Sequence, residues 1–163
     1  MTNRIATCAC GEFSIALTGD PVSVNLCNCI DCQRRTGSVF GVGAYYNRSD
    51  VKEISGKSTL FDRSAESGNT LSFRFCPKCG TTLCWENNAR PGVVGVAVGA
   101  FADPEFPAPG LIGWTDRKHS WVAMPPGIPA YPRRAVANSS NATTATMAGP
   151  SPKVRAPTGV KNQ

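Results

Sequence analysis

The chain has 163 residues, 41% of them apolar, and a formal net charge of +6, which suits one domain with one core. No run approaches the roughly 18 uninterrupted apolar residues of a membrane helix, and Met1–Ile5 offers no signal-peptide core, so a cytoplasmic protein without membrane contact is expected. Lys and Arg number 10 against 11 Asp and Glu up to Asp116, and 7 against none beyond it. The basic character therefore belongs to the C-terminal end and argues against a specific nucleic-acid binder.

In chain order, Cys8-Ala9-Cys10 comes first, followed by the alternating polar and apolar segment Gly11–Leu17, a strand by its period of two. Cys27-Asn28-Cys29-Ile30-Asp31-Cys32 is next. Residues 31–36 read as a turn or two of helix, with Asp31 as a candidate cap and Gly37 placed to end it in the left-handed conformation. Val39–Tyr46, Thr59–Phe61 and Thr70–Phe75 are further strands, the last running into Cys76-Pro77-Lys78-Cys79-Gly80. Thr81–Glu86, Val93–Val98 and Leu111–Trp114 complete the set, separated mostly by Gly, Asn, Asp or Ser. The chain's single histidine, His119, sits between basic residues and Ser120-Trp121 and reads as a surface bystander. Residues 135–163 hold almost no large apolar side chain and read as a disordered, basic, low-complexity tail. Residues 1–134 then read as one domain that is mainly β, with short antiparallel sheets and little helix, and the cysteine groups mark it as the expected zinc-binding, catalytic-type part of the chain.

Seven of the eight cysteines fall into the three tight groups. Neighbours this close bridge each other poorly and chelate well, so metal is favoured over disulfides. Zn²⁺ takes four soft donors in a structural site and three plus an open position in a catalytic one. The knuckle Cys76-Pro77-Lys78-Cys79 supplies two donors, and Cys8 with Cys10, on one face of an extended segment, can supply two more. Cys27, Cys29 and Cys32 remain for a second ion with a vacant position. Cys84 is the candidate that would close that site. By strand alternation it instead reads as a small buried thiol, sharing a face with Thr82 and Glu86 while Leu83 and Trp85 face the other way.

The three cysteine groups, with the flanking Gln33-Arg34-Arg35-Thr36-Gly37-Ser38 and Gly80-Thr81, resemble the glutathione-dependent formaldehyde-activating enzyme family, which includes centromere protein V-like proteins. The similarity runs from about Thr7 to Pro132, with Ser67-Gly68-Asn69 and Val98-Gly99-Ala100-Phe101 as softer matches. The resemblance implies a zinc-pinned β-tent with two zinc ions per chain. One would be structural, on Cys8, Cys10, Cys76 and Cys79. The other would be catalytic, on Cys27, Cys29 and Cys32. It also implies a carbon–sulfur lyase activity, the making of S-hydroxymethylglutathione from formaldehyde and glutathione, with a small thiol as partner. Asn28 departs from the pattern, since many members carry His there, and any proton-transfer help from that His would be missing. The alternative is a non-catalytic zinc module that binds a protein or nucleic acid, with closed coordination at both metals.

Overall fold

The computed structural model describes residues 2–66 and 68–134. Ser67 and the tail expected over 135–163 lie outside the described residues. Two sheets make the body. The smaller has the order β1 (Asn3–Thr7), β2 (Phe13–Thr18), β5 (Val51–Gly56). The larger runs β10 (Leu111–Gly113), β3 (Ser23–Cys27), β4 (Gly41–Asn47), β9 (Val93–Ala97), β8 (Thr82–Asn87), β7 (Thr70–Phe75), β6 (Thr59–Ser64). Pairing is antiparallel except where β10 joins β3 in parallel. The chain is mainly β, as expected.

The core lies where the sheets face each other. Phe13, Ile15 and Leu17 alternate inward along β2, and they meet Val24, Ala44, Tyr46, Val94 and Val96 of the large sheet, all buried. The one α-helix among the described residues, α1, spans Ile30–Thr36 and stops at Gly37 (φ 62°, ψ 19°), the left-handed terminator expected from the sequence. Its N-cap is Cys29 and not Asp31: the Cys29 sulfur accepts from the Cys32 amide at 3.4 Å. Asp31 instead pairs with Arg63 of β6.

Simple alternation fails along β8. Arg74 pairs with Cys84 and Phe75 with Thr82, which leaves Leu83 as the extra residue of a bulge. Leu83 and Cys84 consequently both belong to the inter-sheet core, while Trp85, opposite Phe73, packs apart from it. The indole lies on β4 and β9, where a Cβ on Gly43 or Gly95 would come within 2.8 or 2.4 Å of it. These glycines clear the space that lets a tryptophan lie flat on a sheet.

Candidate metal centres

The first cysteine group and the knuckle meet at the end of the sheet sandwich. Cys8 follows β1, Cys76 follows β7, and both are buried in the core. The sulfurs of Cys8, Cys10, Cys76 and Cys79 all lie within 4.8 Å of one another, with Cys8–Cys10 at 3.5 Å and Cys10–Cys76 at 3.6 Å. A tetrahedral ion with Zn–S bonds of about 2.3 Å needs sulfurs roughly 3.8 Å apart, so the spacing fits. Both loops are tight turns: Gly11 N–H donates to Cys8 O at 3.0 Å and Gly80 N–H to Cys76 O at 2.9 Å. Phe13 N–H also points at the Cys8 sulfur, at 3.2 Å. Ala9 N–H reaches across to Thr81 Oγ1, and Lys78 pairs with Glu12, so the turns are joined by the chain itself as well.

Cys27, Cys29 and Cys32 form the second group, their sulfurs again within 4.8 Å of one another and half-buried. Three local facts bring them together. Cys27 ends β3 opposite Gly41, Cys29 caps α1, and Cys32 falls in the helix's first turn. No fourth Cys, His, Asp or Glu among the described residues joins that cluster. Cys84 belongs to neither group; it is 2% exposed, and burial pushes its thiol up to about 11.

Hydrogen bonds from the Cys27 and Cys32 thiols, with the Cys32 amide and Arg63 adding to them, hold Cys29 well below the usual thiol range. Cys27 is raised, chiefly by its bonds to Cys29 and Cys32. The three thiols thus bond to one another, a donor set that would exchange protons for a soft cation.

The turn is braced from behind. Asn28 is fully buried, and both its backbone N–H and its side-chain amide donate to Gly113 O, at 3.1 and 3.0 Å. It ties the cysteine turn to β10. Gln33 Nε2 donates to Asn28 O at 2.7 Å and to Arg117 O at 3.0 Å, which turns its Oε1 toward His119. His119 Nε2, 3.0 Å away, must then be the donor, so this ring nitrogen carries a proton. The bystander reading of His119 missed this link, which joins residues 86 apart in the chain and has no local signature.

Fold and site together define a mainly β protein with two thiol clusters, each of which could hold a metal ion. The model of the glutathione-dependent formaldehyde-activating enzyme family matches residues 3–117, and the chain belongs to that family. Among solved structures it is similar to a Rhodobacter sphaeroides protein, at 24% identity over 61% of this chain and 91% of that one, with a TM-score of 0.48. No curated protein matches it.

Proposed function

We propose that this protein is a zinc-dependent carbon–sulfur lyase that joins a small thiol, glutathione, to an aldehyde, formaldehyde, at the Cys27–Cys29–Cys32 cluster. The Cys8–Cys10–Cys76–Cys79 cluster would hold a structural zinc. The observation that carries the reading is three converging thiols without a fourth protein donor among the described residues, inside the region the family model matches. Cys27, Cys29 and Cys32 would hold the zinc, which when bound would supply a Lewis acid that favours the deprotonated form of an external thiol.

The chain's own residues do the rest. Three cysteine thiolates around a dication leave a net charge of −1, which weakens activation of water and suits sulfur chemistry better than hydrolysis. Asn28, Gln33 and the Cys29 cap hold the turn rigid, so the open side of the cluster keeps one geometry. The reaction balances without an oxidant. The thiol proton leaves to solvent, sulfur bonds to the carbonyl carbon, and the carbonyl π pair moves to oxygen, which takes a proton.

Metal analysis of the purified protein and of Cys29→Ser tests the assignment. Two zinc ions in the first and one in the second, with the fold retained by circular dichroism, are expected. A variant that unfolds would make the second centre structural. Exchange spectroscopy of formaldehyde with glutathione tests the substrate: no acceleration at high protein concentration would remove formaldehyde from the reading.

A further inference from the structure

Arg35 lies one helical turn beyond Cys32 on α1, so the two side chains leave neighbouring points of one helix face. Its guanidinium carbon sits 4.7 Å from the centroid of the Trp85 ring and 5.7 Å from that of Phe73. Stacking of this kind fixes the plane of the group and leaves its N–H edges available. Among the described residues those edges are unused: Arg35 donates no hydrogen bond and meets no carboxylate, although its side chain is half-buried. Arg63, also near the cluster, is by contrast neutralised by Asp31.

The place is defined as sharply as the pose. Gly41 pairs with Cys27, and a Cβ there would stand 2.8 Å from Arg35 Nη2 and 3.5 Å from Cys32 Cβ. The missing side chain therefore seats the guanidinium beside the metal turn. Arg35, Thr36 and Gly41 also line a groove of about 800 Å³ that continues along Thr7 and the 3-10 turn Val98–Phe101 and takes in Cys8 and Cys79 of the first cluster; it meets the second cluster through Arg35 and Gly41, the neighbours of Cys32 and Cys27. That volume is of the size that accepts a small peptide. Arg35 is the one charged side chain in the lining, and no carboxylate faces it there.

Arg35 already acts through its charge on the nearby Cys32 thiol, but its fork of N–H donors is free, and it suits a carboxylate on the incoming thiol, gripped by two parallel N–H bonds. Building on the thiol reading above, we infer that Arg35 is the specificity residue that anchors a substrate carboxylate while the substrate sulfur reaches the Cys27–Cys29–Cys32 centre. The preferred thiols are then carboxylate-bearing peptides, and simple uncharged thiols bind without selection.

The test uses the cobalt-substituted protein, whose sulfur-to-metal absorption bands move when an external thiol binds. Glutathione, its diethyl ester and 2-mercaptoethanol are titrated against wild type, Arg35→Gln and Arg35→Lys. A charge-assisted pair of this kind corresponds to roughly tenfold to a hundredfold in affinity. Glutathione should exceed its ester by that factor on wild type, the gap should close in Arg35→Gln, and 2-mercaptoethanol should not distinguish the proteins. Arg35→Lys, which keeps the charge and loses the fork, should fall between. An ester that binds wild type as well as the acid overturns the inference and leaves the thiol reading standing, and this comparison needs no variant to fold. Equal losses for all three thiols in Arg35→Gln also overturn it, since Arg35 would then merely support Trp85. Bands that no thiol moves would overturn both proposals together.

Discussion

Replacing Gly95 by alanine tests the packing that positions the site. The added methyl would stand 2.4 Å from both Cε2 and Nε1 of Trp85 and 2.8 Å from Cζ2. The indole cannot slide away freely, because it is 6% exposed and held by Phe73 at 5.8 Å, Tyr45 at 6.1 Å and Arg35 at 4.7 Å. Overpacking of a well-filled site costs about 1–3 kcal/mol, which for a domain of this size is a fall of roughly 3–10 °C in Tm. The measurement is denaturant unfolding at one fixed zinc concentration, since a bound ion shifts apparent stability by mass action. Gly99→Ala is the control, because a Cβ there meets nothing within 4 Å. Combining Gly95→Ala with Trp85→Phe should recover part of the loss, a coupling that distant sites would not show. If Gly95→Ala unfolds at the same midpoint as Gly99→Ala, the account of Trp85 lying flat on a glycine floor is wrong.

Other outcomes follow from the same geometry. Cys84→Ala should keep two zinc ions by metal analysis while losing about 1 kcal/mol of stability in denaturant melts, the cost of a small cavity between the sheets. Gln33→Ala strips the donors from Asn28 O and Arg117 O; a loss of about 1–3 kcal/mol is expected, together with the disappearance of the Gln33-dependent shift of the His119 ring in proton NMR. Acidification should release the ion at the second centre. Cys29 is lowered and Cys27 raised by the bonds among the three thiols, and Cys32, against the opposing bond from Cys27, is pushed up to about 11 by its bond to Cys29 and by burial. Binding then displaces the protons that the trio carries, so affinity should fall as pH falls, by about tenfold per pH unit for each proton displaced. Competition with a chromophoric chelator at stepped pH gives the slope, and an affinity that does not change with pH would refute the expectation.

Much of this arrangement is legible in the residues. Period-two alternation marks β2 and β7, the latter to the residue, and Gly37 marks the end of α1. The cysteine spacing separates four sulfurs from three, and those sets converge in space. β3 was legible too, since Val24 and Leu26 alternate with polar neighbours, but the strand ends in Cys27 and its thiol draws the eye from its sheet pattern. β1 and β5 lack an apolar face strong enough to mark them, and their residues become strands by pairing with β2. The face assigned to Leu83 is overturned by a bulge, a two-strand property that no single strand records. The links from Gln33 to Arg117 and His119 cross more than 80 residues, beyond any local pattern. The Cys29 cap was hidden for a different reason: sulfur is a weak acceptor, and Asp31 is the better capping residue by type.

The two clusters also differ in when they can come into being during synthesis. Cys27, Cys29 and Cys32 leave the ribosome within six residues of one another, so an ion that this trio could hold would need only a short nascent chain. Cys10 and Cys76 are separated by 66 positions, and their cluster must wait for the intervening strands and for the entropy of closing that long span. The four-sulfur cluster therefore carries the larger closure cost of the two, which falls on the chain between its halves.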